Sequence, residues 1–108
     1  MTSESPLVEP NVTYRQIVVL SIINSGITDG KDLRNALAGL GLYKSLPGFY
    51  QLMGRMESAQ LVVGTFRRED VNGYSIRHKR YSVTSVGLES LLVFGQFVES
   101  VKGLSKST

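Results

Sequence analysis

The sequence predicts a mainly α domain carrying a small β-hairpin (α+β class), with its elements in the order α-α-α-β-β-α. Three observations predict it. Apolar residues recur at three- and four-residue steps through the first half of the chain and again near its end, the spacing of a helix face. Between these regions, LVVGTFRR and RHKRYSVT are rich in Val, Thr, Phe and Tyr, a strand composition. The pair Asn72-Gly73 stands between the two runs and is the strongest short-range signal for a two-residue hairpin turn. An apolar helix, two further helices joined by a glycine-bearing turn, and then a hairpin make up a winged helix-turn-helix.

Taken in order, residues 1–10 hold two prolines, two serines and two glutamates and read as a flexible tail. Residues 11–84 form the winged helix-turn-helix domain, and residues 85–108 a C-terminal dimerisation helix with a short tail. The first helix is expected from Asn11 to Ser25, capped by Asn11 or Thr13 and stopped at Gly26. Tyr14, Ile17, Val18, Leu20, Ile22 and Ile23 cover much of its circumference, which predicts burial nearly all round, either centrally or against a second subunit. The second helix is expected from Asp29 to Ala38, with Asp29 as cap and Asp32 placed favourably against the positive helix end. Leu33, Ala36, Leu37 and Leu40 would face inward, and Lys31, Arg34 and Asn35 outward. Gly39 and Gly41 mark the turn that follows.

The third helix, Lys44 to Gln60, is the one the other elements would serve. Ser45 can cap it, and Pro47 falls in the first turn, where a missing N–H costs nothing. Phe49, Leu52, Met53 and Met56 make a single apolar stripe. Gly48, Gln51, Arg55 and Ser58 lie opposite. A helix with a buried back and a front of small, amide and guanidinium groups suits a DNA major groove, since Gln pairs with adenine edges and Arg with guanine. In the hairpin, a two-residue turn at Asn72-Gly73 sets Val71 opposite Tyr74 and Arg68 opposite Arg77. Like charges across a ladder are unfavourable unless an anion lies near. Glu69 and Asp70 would supply it within the chain; a phosphate backbone is the functional alternative. The last helix is expected from Ser85 to Gly103 with Thr84 as cap. Leu88, Leu91, Leu92 and Gly95 would pack on the domain. Leu91, Phe94, Val98 and Val101 repeat at 3, 4 and 3, with Phe97 and Leu104 alongside, a heptad-like seam. A domain this small does not cover so much apolar surface itself, so a two-fold dimer through this helix is expected. The alternative is that the helix folds back on the first one within a single chain.

Composition narrows the function classes. The chain has 108 residues, 42% hydrophobic and 19% charged, which fits one soluble domain with one modest core. No apolar run reaches the roughly 18 residues that span a bilayer. MTSESPLVEP lacks the basic start and apolar block of a secretory signal, so the expected location is cytoplasmic. There is no cysteine and one histidine, His78, which removes disulfides, zinc fingers, iron–sulfur clusters and cysteine catalysis. Glu57, Glu69, Asp70, Glu89 and His78 form no spaced set of nucleophile, base and orienting group, and no glycine-rich phosphate loop is present. The chain therefore reads as a non-enzyme without a cofactor. Its net charge is +3, and five of its twelve basic residues lie between positions 67 and 80. Such a cluster is what phosphate contact requires.

These pieces assign Gln51 and Arg55 to base edges and Lys44, Ser45 and Tyr50 to the adjacent backbone. Arg67, Arg68, Arg77, Lys79 and Arg80 would hold flanking phosphates, which set register without specifying sequence. The expected arrangement is one cationic face shared by the third helix and the ribbon. Tyr81 is expected to be a core ring with its hydroxyl at the rim. The competing reading is a protein-interaction winged helix, in which the basic charge is incidental.

Over roughly positions 15 to 92 the chain resembles the PadR-like transcriptional regulators. The resemblance rests on Gly30-Lys31-Asp32-Leu33 where that family tends to have Gly-Tyr-Glu-Leu, and on Ser45 with Phe49-Tyr50, Leu52-Met53, Arg55-Met56-Glu57 and Leu61-Val62. Lys79-Arg80-Tyr81 then leads into Val83-Thr84-Ser85-Val86-Gly87, similar to the family's Leu-Thr-x-x-Gly entry to the last helix. The chain departs from the family pattern at Lys31 (usually aromatic), Gly48 (usually a small hydroxyl residue) and Gln60 (usually Gly). The loss of a hydroxyl at Gly48 puts a familiar phosphate or base contact in doubt. The resemblance implies a dimeric repressor with the third helix in the major groove and the wing on the flanking backbone. It also implies a small apolar or aromatic effector near the dimer interface, where Tyr14, Phe94 and Phe97 would line a pocket or simply form interface core.

Overall fold

The computed structural model describes residues 12–43 and 45–106. Helix α1 spans Tyr14–Asn24, α2 Gly30–Gly39 and α3 Leu46–Ser58; strands β1, Val62–Val71, and β2, Tyr74–Val83, form an antiparallel hairpin; α4 spans Ser85–Lys106. The order α-α-α-β-β-α is the one expected. The 1–10 tail, Asn11 and Lys44 lie outside the described residues.

Each helix starts where a side chain satisfies its free N–H groups. Thr13 begins α1 with a capping box: its hydroxyl accepts from the Gln16 N–H at 3.1 Å while Gln16 Oε1 accepts from the Thr13 N–H at 3.0 Å. Asp29 caps α2 through the Lys31 N–H at 2.9 Å, and Ser45 caps α3 through the Gly48 N–H at 3.2 Å. The end of α3 is a Schellman turn, in which Leu61 N donates to Met56 O and Gln60 N to Glu57 O. That turn needs a left-handed residue, and Gln60 supplies it at φ 63° in the position where the resembling family carries glycine.

One core joins all the elements. Ile17, Val19, Leu20 and Ile23 of α1 meet Leu33 and Leu37 of α2, Phe49, Met53 and Met56 of α3, and Leu61, Val62 and Tyr81 at the base of the hairpin. Helix α1 is less enclosed than its composition suggests, because Tyr14 at its first position is 69% exposed. Leu40 also departs from expectation: it is the C-cap of α2, where the helical spacing has ended, and it points outward.

The start of α4 is fitted closely onto the α3–β1 joint. Thr84 Oγ1 accepts from the Gly87 N–H at 3.0 Å and donates to Gln60 O at 2.6 Å, with Leu61 O at 3.1 Å. Gly87 lies so near this joint that a Cβ there would sit 2.4 Å from Leu61 O and 2.7 Å from Val83 Cγ1. The threonine and glycine of the Thr-x-x-Gly pattern thus weld the last helix to the end of α3. Helix α4 then packs on α1, with Leu91 and Phe94 against the core, and continues three residues beyond Gly103. No helix among the described residues is long and apolar enough to cross a membrane.

Candidate nucleic-acid interface

The hairpin pairs in the expected register, with Val71 opposite Tyr74 and Arg68 opposite Arg77. Asn72 (φ 52°) and Gly73 (φ 83°) both take positive φ, as a two-residue turn of this hand requires. Pairing continues along the whole length of both strands. On its other edge, β2 is held by the segment before α2: Tyr81 N donates to Thr28 O at 2.9 Å, and Asp29 bridges to Arg80. The N-terminus of α2 is thereby fixed beside the wing.

Side chains alternate across a ribbon, so the register sorts the wing's cations. Arg68, Arg77 and Lys79 share a face with Gly64, Phe66 and Tyr81. That face turns toward α3, because Lys79 Nζ reaches Glu57 Oε1 at 3.1 Å and a Cβ at Gly64 would meet Glu57 Oε2. Arg67 and Arg80 project from the reverse face, together with His78. The basic cluster is therefore divided between two faces of the ribbon. The like pair Arg68–Arg77 is relieved within the chain by a different group: the Arg77 guanidinium lies 4.0 Å from the centre of the Phe66 ring, diagonally across the ladder. His78 sits on the reverse face between two carboxylates, with Asp29 Oδ2 3.5 Å from Nδ1 and Glu69 Oε1 2.9 Å from Nε2.

On α3, Phe49, Met53 and Met56 are buried and Leu52 is half-buried, while Gly48, Gln51, Arg55 and Ser58 are all exposed. Ser45 is exposed as well, and Tyr50 is 56% exposed on the flank nearer the wing. Tyr81 is the core ring expected of it, at 3% exposure. Burial, with the Glu57 carboxylate and then Tyr50 adding to it, pushes the Tyr81 phenol from 10.0 up to about 12.

Between α2, α3 and the wing lies a groove of about 680 Å³. Tyr50, Gly54 and Glu57 form its α3 wall, Phe66, Arg77 and Lys79 its wing wall, and Lys31 and Arg34 its α2 wall. The last two were expected only to face solvent. Their outward placement on α2 was readable from spacing, but their proximity to the wing depends on the Thr28–Tyr81 pairing, which no local pattern announces.

The six residues expected at a dimer interface separate into two groups. Leu91, Phe94 and Val98 are half-buried by their own chain, the first two against the core. Tyr14, Phe97 and Val101 are exposed, at 69%, 55% and 48%. The helix thus folds back on α1 in its first half and leaves apolar surface uncovered in its second.

A solved structure of a PadR family transcription regulator from hypervirulent Clostridium difficile R20291 superimposes on this chain with a TM-score of 0.70, at 22% identity, covering 88% of this chain and 97% of that one. The chain has a PadR-like fold. No family model matches the sequence, and no curated protein matches it. The PadR-like fold gives the Val83-Thr84-Ser85-Val86-Gly87 pattern its physical sense, since Thr84 and Gly87 set the angle at which the last helix leaves the winged domain.

Proposed function

We propose that this chain is a sequence-specific DNA-binding transcriptional regulator, a PadR-like repressor acting as a dimer. The observation that carries the reading is the solvent face of α3, where Gln51 and Arg55 stand exposed over a buried Phe49-Met53-Met56 back, with a cationic groove and the wing beside them. A structural neighbour described as a transcription regulator supports it. Gln51 and Arg55 read base edges; Lys44, Ser45 and Tyr50 contact the adjacent backbone. Arg67, Arg68, Arg77 and Arg80 neutralise flanking phosphates, from both faces of the wing, whereas Lys79, expected among them, is held by Glu57 at 3.1 Å. The second half of α4, with exposed Phe97 and Val101 and half-buried Val98, joins a second copy with help from Tyr14, and residues 85–108 act as the dimerisation segment. A small apolar or aromatic effector would act at the same interface, beside Phe94 and Phe97.

The test is a gel-shift survey of genomic fragments at moderate salt, followed by Arg55→Ala on the tightest fragment. The reading expects a discrete shifted complex and a loss on the order of 1–3 kcal/mol, confined to one base position per half-site. Equal weakening on every fragment would make Arg55 a phosphate contact. The absence of any shift at micromolar dimer, with a protein partner recovered by pulldown, would favour the interaction-module reading.

A further inference from the structure

Six charged groups line the groove between α2, α3 and the wing, apart from the histidine at its edge, and their pairing is unequal. Both acids are engaged internally. Glu57 holds Lys79 at 3.1 Å, while Asp29 caps the Lys31 N–H and lies 3.5 Å from His78. Lys31, Arg34 and Arg77 have no carboxylate within 4.0 Å among the described residues, and Arg77 is held over the Phe66 ring instead. Three cations without an acid partner therefore line one concavity, two from α2 and one from the wing. On the α3 wall, Gly54 has nothing within 4 Å of where a Cβ would stand, so the chain's own packing does not require a glycine there. The groove opens alongside the face that bears Gln51 and Arg55.

We infer that this groove seats the sugar–phosphate strand of the DNA, with Lys31 and Arg34 of α2 and Arg77 of the wing closing on consecutive phosphates while Gly54 admits the strand close to α3. The inference rests on the DNA-reading proposal and extends it to two residues that the wing's basic cluster does not include. Charge is what selects the occupant. A hydrogen-bonding or apolar ligand leaves three guanidinium and ammonium groups uncompensated, whereas a polyanionic strand meets one after another along its length. Lys79 is excluded from the set, because Glu57 already holds it. Its place is to brace the wing against α3, which keeps Arg77 at the groove.

The experiment measures binding of the full chain to a 30-base-pair duplex by fluorescence anisotropy, over a series of KCl concentrations. The variants are Arg34→Gln, Lys31→Gln and Arg77→Gln, with Arg15→Gln on the exposed start of α1 as the charge control. Each neutralised phosphate contributes about 0.9 to the slope of log K against log salt, so each groove variant should lower that slope by about one unit with base preference unchanged. The control should keep the parent slope. Arg34 is half-buried, so the folding of its variant is checked by thermal melting; exposed Arg77 on the wing provides an independent arm. A neutral methylphosphonate scanned along the strand should then weaken the parent chain at one step and leave Arg34→Gln unaffected at that same step. Parent-like slopes in the groove variants, with Arg55 still setting a base preference, would overturn the clamp and leave the reader standing. Failure of the parent chain to bind any duplex would overturn both. Binding of a polyglutamate peptide that depends on Arg34 in place of duplex would assign the groove to an acidic protein and overturn it too.

Discussion

Gly87→Ala tests the close fit of the start of α4 onto the α3–β1 joint. Helix propensity alone predicts a gain, since alanine is favoured over glycine by up to ~1 kcal/mol inside a helix. Packing predicts the reverse. The added methyl would stand 2.4 Å from Leu61 O, 2.7 Å from Val83 Cγ1 and 3.1 Å from Leu20 Cδ2, and the first of these is backbone. That carbonyl is also held by the Thr84 N–H at 3.1 Å, so it cannot retreat without loosening the cap. Overpacking of this kind costs about 1–3 kcal/mol, and with a backbone obstacle the upper part of that range applies. After the propensity gain, a net loss of ~2 kcal/mol remains, which lowers Tm by at least ~4 °C per kcal/mol in a domain of this size. Gly95→Ala supplies the contrast within the same helix, because nothing lies within 4 Å of its missing Cβ. It should be neutral or stabilising. Urea unfolding followed by circular dichroism reads both variants. A Gly87→Ala chain as stable as Gly95→Ala would refute the close fit, and with it the role given to Thr84 and Gly87 in aiming the last helix.

Other expectations follow from single observations. Gln60 carries the left-handed turn at φ 63°, so Gln60→Gly should stabilise the chain by ~0.5–1 kcal/mol in urea unfolding, the relief of left-handed strain less the flexibility that glycine adds to the unfolded state. Thr84→Val removes a hydroxyl that both caps α4 and ties it to Gln60 O, and should cost about 1–2 kcal/mol in the same assay. The Tyr81 phenol is held protonated in the fold, with its pKa pushed up to about 12. The folded state thus binds this proton more tightly than the unfolded one. The associated stability is complete below the ordinary value of 10.0 and is lost as pH rises from there through about 12. Tyr81→Phe should flatten this alkaline decline when unfolding is compared at pH 9 and pH 11.5.

The parts of the fold that were legible in the sequence are those fixed by local chemistry. Asn72-Gly73 determines its own turn, and the turn determines every cross-strand pair, so the Arg68–Arg77 juxtaposition could be read in advance. Thr13, Asp29, Ser45 and Thr84 begin their helices because a short polar side chain is needed there to meet free N–H groups. Leu40 was misplaced because a helical period was carried one residue past the helix end. The division of the wing's arginines was missed for a related reason: nearness in sequence was read as nearness in space, although a strand's period of two sends neighbours to opposite faces. Lys31 and Arg34 could not be brought to the wing from sequence, since their position follows from β2 pairing with Thr28, a contact some 50 residues distant along the chain. The Glu57–Lys79 ion pair is tertiary in the same sense. Each residue lies on a surface of its own element, and only the docking of wing on α3 joins them.

The account depends on the exposed side of α3 being the surface that reads bases, presented twice by a paired molecule. Selection of duplexes from a random pool by the purified chain, repeated with Arg55→Ala, tests this most directly. The account predicts an enriched two-fold symmetric motif with half-sites about one helical turn apart, and loss of preference at one position in each half when Arg55 is removed. A pool that gains no motif, or a motif unchanged by Arg55→Ala, would contradict it.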